Sequence, residues 1–360
     1  MSSDFTEVHD ELRAVARDLL GGASPETGIE WRLLADAGWL GLEVPAALDG
    51  ADATFAEVAV ILEEMGRAAA CSSYLGAVVL GVGTLNLLER SPGRDELVRE
   101  VASGAVVPAV ALAGSGDACV AGEVPFRIER SPRGLRLHGR AAFVPDAAEA
   151  GRLLLLALEP GGAPVIVDVG PQTGGLGLTA QPVLDATRRL GLVTADGAEV
   201  PEASVWRFRG DPQAAIRRLL DRGAAAVACD SLGLSEAMLD ATVAYAGVRE
   251  QFGRPIGSFQ AVKHACADML VQVSVSRELV AAAAQGLAGD GPDASVAASM
   301  AKSYACAAAV DVVGKAMQLH GGMGYTWEGG IHVYLKRAVL NRSLFGSPAA
   351  HRRRLAERYG

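Results

Sequence analysis

The stretch Val248–Met269 carries side chains whose types and spacing suit the binding of a diphosphate. Arg249 ends a helical pattern, a Phe-Gly-Arg-Pro turn follows, and a new helix is predicted to begin near Ser258. A guanidinium donates two parallel hydrogen bonds to phosphate oxygens, and Gln251 and Gln260 add neutral donors on either side of the turn. The same pattern also fits an ordinary corner between two helices with solvated charges.

A second stretch, Gln318–Ala338, is rich in glycine. Gly321, Gly322 and Gly324 allow the backbone to approach a ligand closely, and exposed amides in such a bend can hold an anion. The glycine spacing differs from that of a dinucleotide fingerprint, and the chain has no GxxxxGK[ST] phosphate loop. A helix stop with a connecting loop is the alternative explanation of these glycines.

The composition excludes several classes of protein. The 360 residues have a formal net charge of -9, and no run of Lys or Arg is longer than Arg352–Arg354, so we expect no nucleic-acid partner. Five scattered Cys without a CxxC pair predict reduced thiols and a cytoplasmic protein, and the acidic Met1–Asp10 lacks the pattern of a signal peptide. Ala68–Leu88 is uncharged but only moderately apolar, so we expect no membrane insertion.

The hydrophobic pattern divides the chain into three parts. Helical periodicity fills residues 1–105, short β-type runs broken by Gly, Pro and Asp fill 106–208, and long helical blocks fill 209–360. We therefore expect an α+β protein with an N-terminal helical domain, a compact antiparallel middle domain and a C-terminal bundle of four helices. The four predicted bundle helices are Ala214–Arg249, Gln260–Ala288, Asp293–Leu319 and a shorter one that ends near Tyr359.

Together the two glycine-containing stretches resemble the signatures RxxFGxxIxxFQ and QxxGGxGY of the acyl-CoA dehydrogenase family. The resemblance extends over the whole chain in domain order, since family members have an N-terminal helical domain, a middle β-barrel-like domain and a C-terminal four-helix bundle, with FAD between the last two. The matching residues are Arg249, Phe252, Gly253, Ile256, Phe259 and Gln260 for the first signature, and Gln318, Gly321, Gly322, Gly324 and Tyr325 for the second.

The resemblance implies an FAD-dependent oxidoreductase that desaturates an acyl-CoA or acyl-carrier thioester between Cα and Cβ. It also implies a homo- or hetero-oligomer, a dimer or tetramer, because the flavin is shared between chains, and an electron-transfer acceptor for the reduced flavin. The residues that the resemblance places at the FAD are Arg249, Gln251, Phe252, Phe259, Gln260, Gln318, His320, Gly321 and Gly322.

The sequence departs from the family at the catalytic base. Most members carry a Glu shortly after the second signature, and an ungapped count puts Phe345 at that position. Other branches place the Glu on the first bundle helix, where the same count gives Gly223. Neither residue can accept a proton, so the catalytic residue is unknown.

Other positions near the expected site are less informative. By the same resemblance, Asp221 and Arg222 are expected on the substrate side. The family's T-E-P and W-I-T segments appear as Leu112-Ala113-Gly114 and Phe143-Val144-Pro145. The remaining nearby carboxylates are each expected to be structural or on a helix surface, and they are Asp230, Glu236 and Glu328.

Two function classes therefore remain, with a flavin-free scaffold as a third. The first is a catalytic subunit with a non-standard base. The second is a partner subunit of an α2β2 assembly that helps to bind FAD while the other chain supplies the Glu. No metal is expected, because pairs such as His264 with Cys266 or His320 with His332 do not make a four-ligand site.

Overall fold

The computed structural model describes residues 2–22, 28–113, 124–132, 134–289 and 291–359. Helices come first, strands follow, and long helices end the chain, as the hydrophobic pattern predicts.

The N-terminal part is a cluster of helices around large apolar side chains. Thr54 and Glu57 form a capping box that satisfies free N–H groups at the start of one helix. Trp39, Phe55 and Tyr74 are fully buried between the helices. The α-helices are α1 (Ser2–Leu20), α2 (Trp31–Asp36), α3 (Phe55–Arg67), α4 (Gly83–Leu87) and α5 (Pro92–Ala102).

A π-helix, Leu75–Val82, runs directly into α4, and all of its residues are buried. Glycines allow the π-helix and the start of α4 to approach both other parts of the molecule. A Cβ added at Gly76 would lie 2.7 Å from a carboxylate oxygen of Asp146, and one at Gly83 would lie 2.7 Å from Nε of Arg222. π-helices are rare and occur frequently at functional sites.

The middle part is one mixed sheet. Its strands are β1 (Pro108–Ala111), β2 (Phe126–Ser131), β3 (Gly134–Pro145), β4 (Arg152–Leu158), β5 (Pro164–Val169), β6 (Leu176–Gln181), β7 (Leu190–Val200) and β8 (Val205–Arg207). The order is β6-β7-β3-β2-β4-β5-β8, and β1 also pairs with β4. The expectation of a purely antiparallel unit is wrong, because β1 and β2 pair in parallel with successive segments of the same edge of β4, 152–155 and 157–158.

Strand β4 is buried on both faces, which explains its nearly continuous run of leucines. Leu153 and Leu155 point into the core of the sheet itself, whereas Leu154 and Leu156 pack with the helices. Because successive side chains of a strand point to opposite faces, one strand joins two cores.

The C-terminal part contains three long helices and two short ones. They are α6 (Pro212–Val248), α7 (Gln260–Ala288), α8 (Ala294–Leu319), α9 (Ile331–Ser343) and α10 (Pro348–Tyr359). The predicted fourth helix is therefore two helices, since positive φ at Phe345 and Gly346 interrupts it. Helix α8 is long and apolar enough to cross a membrane by length and composition alone, but most of it is buried inside the bundle.

A buried ion network joins all three parts. Asp230 of α6 accepts a hydrogen bond from Nε of Arg337 of α9 at 3.0 Å, and its carboxylate lies 3.1 Å from Nη2 of Arg188, just before β7. Arg337 also donates to the carbonyl of Ala70, at 2.6 Å. Burial alone would raise the pKa of Asp230, but the two guanidinium charges outweigh it and hold that pKa below its usual range.

Candidate active site

An apolar cavity of about 390 Å³ lies where the π-helix, the sheet and the bundle meet. Leu80 of the π-helix and the ends of β1 and β3 form one side, and Leu220 of α6 and Phe345 lie on the other. Among the described residues that line this cavity, none is acidic or basic. The cavity can therefore exclude water from a bound group, but its described walls offer no proton acceptor.

The segments that correspond to T-E-P and W-I-T both reach this cavity. Leu112, Ala113 and 143–145 line it, whereas Gly114 lies outside the described residues. Phe143 has a positive φ of 55°, and its N–H donates to Oε1 of Gln181 at 2.6 Å. Pro145 has no N–H, so it cannot donate a backbone hydrogen bond to a ligand there.

Phe345 and Gly223 contact each other at the cavity wall. A Cβ added at Gly223 would lie 2.5 Å from Cδ1 and 2.6 Å from Cε1 of the Phe345 ring. Real Cβ atoms do not approach so closely, so the ring occupies space that any larger residue at 223 would need. The two positions from which the base was expected are thus one place in the structure.

Asp221 and Arg222 are held in ion pairs inside the chain. Asp221 is paired with Arg354 of α10 at 2.7 Å, and Arg222 donates to Glu43 at 2.8 Å. Burial raises the pKa of Asp221, and Arg354 opposes that shift. Both side chains are thus used in ion pairs that hold parts of the chain together, and neither lines the cavity.

The other carboxylates that the sequence singled out lie away from the cavity lining. Asp230 is enclosed in the buried network. Glu236 pairs with Arg277 at 2.6 Å beside the groove between the N-terminal helices and the bundle, and Glu328 is exposed. These placements agree with the structural or surface roles expected of them.

Sequence reasoning missed Asp146. It follows the cavity-lining Pro145, has a φ of 59°, and is 5% exposed. Burial raises its pKa to about 7, although Arg188 opposes this shift and Ser73 donates a hydrogen bond to the carboxylate. The only signal in the sequence is an acid directly after a strand, which is too common a pattern to single out one residue.

The first FAD-signature stretch forms a small hairpin at the far end of α6. β9 (Glu250–Gln251) and β10 (Arg254–Pro255) pair through Phe252 and Gly253, both of which have positive φ. Phe252 is 92% exposed, and its ring meets the Phe259 ring edge to face at a centroid distance of 6.1 Å. A bulky residue in this strained conformation, with its ring in solvent, is typical of a ligand clamp.

The second stretch lies at the same end of the bundle. His320 ends α8 and stacks on Tyr245 of α6 at 4.4 Å, which brings the ends of the two helices together. Gln318 is exposed, and Cβ atoms added at Gly321 or Gly322 would contact nothing within 4 Å. The backbone there is open to a ligand, as the glycine pattern predicts.

These two stretches are far from the cavity of their own chain. Leu220 lines the cavity and Arg249 ends the same helix, roughly 29 residues later, which corresponds to about 43 Å at 1.5 Å per residue. One dinucleotide cannot extend over that distance. The cavity and the hairpin of one chain therefore cannot contact the same bound dinucleotide.

The residues present fit a flavin dinucleotide held by two chains, one through its cavity and the other through its hairpin. The cavity is apolar, as a flat ring system requires. The hairpin offers Arg249, which is exposed and has no ion-pair partner within the described part of the chain, and beside it lies an open glycine bend. A guanidinium and free amides are the donors that a diphosphate needs.

Comparisons with known proteins agree with this geometry. The family model described as acyl-CoA dehydrogenase, N-terminal domain, matches residues 5–105, and that described as acyl-CoA dehydrogenase, C-terminal domain, matches 213–360. The acyl-CoA dehydrogenase IpdE2 of Mycolicibacterium smegmatis is 32% identical over 90% of this chain and 86% of its own.

Two solved structures are similar over nearly the whole chain. A variant of the Tcur3481-Tcur3483 steroid ACAD superimposes with a TM-score of 0.85 at 30% identity, covering 98% of this chain and 97% of that one. The ChsE4-ChsE5 complex from Mycobacterium tuberculosis superimposes with a TM-score of 0.87 at 26% identity, covering 98% and 96%. The chain thus belongs to the acyl-CoA dehydrogenase family, whose members are FAD-dependent oxidoreductases that act on the CH–CH bond of acyl thioesters.

Proposed function

We propose that this chain is the FAD-binding subunit, without a base of its own, of a heteromeric acyl-CoA dehydrogenase whose partner chain supplies the catalytic carboxylate. One observation carries the proposal: Phe345 and Gly223, the residues at the positions expected to hold the base, contact each other, and Phe345 lines a cavity whose described wall residues include no acidic or basic side chain. Bound FAD would supply the hydride acceptor for the reaction. The proton needs a separate acceptor, which the lining of this cavity does not provide.

The FAD contacts of this chain would then serve a site completed by another chain. We assign the exposed hairpin and bend to that role, because they lie about 43 Å along α6 from the chain's own cavity. The residues assigned are Arg249, Gln251, Phe252, Phe259, Gln260, Gln318, His320, Gly321 and Gly322. In a dimer or tetramer of this kind, the partner's carboxylate and this chain's flavin contacts meet in one site.

Exposed apolar side chains also support assembly with a second chain. Leu270, Val271 and Val275 of α7 are exposed although the helix is otherwise packed in the bundle.

The solved relatives include structures whose titles name two components, ChsE4-ChsE5 and Tcur3481-Tcur3483, the second described as a steroid ACAD. We therefore propose an acyl-CoA or acyl-carrier thioester with a bulky apolar acyl group, steroid-like in size, and a separate protein as the electron acceptor.

The test is co-expression with a second acyl-CoA dehydrogenase chain from the same organism that carries a Glu at either base position. We expect a heteromer by light scattering, and bleaching of the flavin absorbance under anaerobic conditions when a steroid acyl-CoA is added. Replacement of the partner's Glu by Gln is the matched control and should abolish bleaching. Rapid bleaching by this chain alone would contradict the proposal.

A homomeric enzyme is the second candidate, and Asp146 is the observation that favours it. Its pKa of about 7 is suitable for a general base, and it adjoins the cavity wall, although its side chain is not part of the described lining. If the chain alone reduces its flavin, loss of that activity in Asp146→Asn would identify this carboxylate as the base.

A further inference from the structure

The segment between α9 and α10 holds Phe345 in a strained backbone conformation. Its φ is 52°, in the left-handed region that a bulky residue rarely adopts. The carbonyl oxygen of Phe345 accepts a hydrogen bond from Nε2 of His351 at 2.9 Å, and His351 is only 1% exposed. Because a carbonyl oxygen can only accept, Nε2 must carry the proton. A buried imidazole thus fixes the backbone from which the ring projects.

Helix α10, which carries His351, is itself fixed to the bundle. Arg354 donates to Asp221 of α6 at 2.7 Å and also to the hydroxyl of Ser295 on α8. The N–H of Ala350 donates to Oγ of Ser347, which caps the start of α10. The helix that supplies the imidazole cannot shift without breaking this partly buried ion pair, so contacts with α6 and α8 help to fix the position of the Phe345 ring.

The ring separates the cavity from the backbone of α6. Leu220 lines the cavity, and Gly223 lies one turn further along α6 beneath the ring. Gly223 has no side chain, and the three atoms nearest to a Cβ added there all belong to the Phe345 ring, so the ring fills this space. Without the ring, the cavity would extend to the α6 backbone, in the direction in which both expected base positions lie.

We propose that Phe345 is a specificity-determining residue that closes the Gly223 side of the cavity to an acyl chain, and that His351 is the positioning residue that holds it there. The inference rests on the proposed function only for the identity of the ligand as an acyl group. The placement of the ring follows from the contacts of Phe345 alone.

The test measures how the full chain, as purified, binds cis-parinaric acid, a fatty acid whose fluorescence rises in an apolar site. Phe345→Ala is expected to bind this probe about tenfold more tightly than the wild type, because roughly two more methylene groups can enter the vacated space. Leu340→Ala is the matched control, since Leu340 also lines the cavity but lies on α9. Leu340→Ala is expected to gain far less affinity for the probe.

Variants of His351 test the positioning role. His351→Ala should tighten binding in the same direction as Phe345→Ala, whereas His351→Gln, whose amide N–H can replace Nε2, should keep the wild-type affinity. Circular dichroism and the melting temperature establish that each variant is folded. If His351→Ala does not fold, Phe345→Ala and Leu340→Ala still test whether the ring closes the cavity, and a changed affinity in a folded His351→Gln would contradict the role of His351.

Equal gains in Phe345→Ala and Leu340→Ala, or no gain in Phe345→Ala, would overturn the proposal. Equal affinities in His351→Ala and the wild type would overturn the role of His351. The measurement uses neither a partner chain nor flavin reduction. A negative result would therefore leave the heteromeric assignment to be decided by its own experiment.

Discussion

The ring of Phe345 lies against the backbone of Gly223, so the two positions at which the family resemblance leads us to expect a base converge on one point beside the cavity. One position is on the first bundle helix and the other lies between the last two helices. A base can be supplied from either position but not from both, because the side chains would compete for the same volume. In this chain an aromatic ring fills that volume.

A carboxylate placed at position 345 should act as a catalytic base. Phe345→Glu is expected to raise the rate of flavin reduction by a bound acyl thioester by about 10²-fold or more, which is the lower end of the range for general base catalysis. Phe345→Gln is the control, since it has the same shape but cannot accept the proton. The measurement is anaerobic stopped-flow absorbance of the FAD-loaded protein, and equal rates in the two variants would show that position 345 does not reach the substrate Cα.

Gly223→Glu alone is not expected to create a working base. Its Cβ would lie 2.5 Å from the ring, so the substitution overpacks the wall before the carboxylate is considered. A double-mutant cycle with alanine isolates this contact. Gly223→Ala should destabilise the wild type by about 1–3 kcal/mol but should be neutral or slightly stabilising in Phe345→Ala, where a helical Gly→Ala change is otherwise favourable. Additive effects on the free energy of unfolding in urea would contradict the contact.

Much of the fold was predictable because it depends on local signals. The spacing of Arg249, Phe252 and Gly253 predicted the turn after the first bundle helix, and the structure shows a hairpin there. The contact between Phe345 and Gly223 was not predictable, because it depends on how α10 is fixed by Arg354. Sequence periodicity describes one element at a time and gives no information on which elements meet.

The same limit explains two other misses. The parallel pairing of β1 with β4 depends on which strand edge β1 joins, and no local pattern encodes that choice. Asp146 looks like an ordinary turn residue until Gly76 of the π-helix packs against it. Both features arise from contacts between separate parts of the chain.

The buried network around Asp230 should contribute more to the free energy of unfolding than a surface ion pair does. Asp230→Asn leaves Arg188 and Arg337 buried beside a neutral group and is expected to cost about 3–5 kcal/mol, the penalty for breaking a buried ion pair. Glu236→Gln breaks the partly exposed pairs with Arg277 and Arg67 and is expected to cost about 1 kcal/mol or less. Chemical denaturation of both variants at pH 7 measures the difference. Similar losses would show that Asp230 is not the structural centre that its burial indicates.

Asp146 should give the protein a measurable pH dependence. Its folded-state pKa of about 7 lies above its unfolded value near 3.9, so the folded state binds more protons between about pH 4 and 7. The stability that this group contributes is therefore greatest at low pH and is lost as the pH rises through 7. Asp146→Asn should exceed the wild type in stability at pH 8, and this advantage should shrink by on the order of 2 kcal/mol at pH 5.

Other titrating groups contribute equally to the wild type and to Asp146→Asn and cancel in that comparison. Urea denaturation at the two pH values is the measurement. An advantage that does not change with pH would mean that Asp146 is already ionised at pH 5, and its proposed use as an alternative base near neutral pH would fail with it.

Arg249 should contribute to FAD affinity through an assembled site rather than within one chain. Arg249→Ala is expected to weaken FAD binding by about 1.5–3 kcal/mol, the usual contribution of a hydrogen bond to a charged group. Arg32→Ala is the matched control, because the Arg32 side chain is 80% exposed in the N-terminal part, where it pairs with Asp36. Quenching of FAD fluorescence by the assembled protein gives both affinities. The loss of FAD affinity in Arg249→Ala should persist in oligomers whose size by light scattering equals that of the wild type. An unchanged FAD affinity would show that the hairpin is not part of the cofactor site.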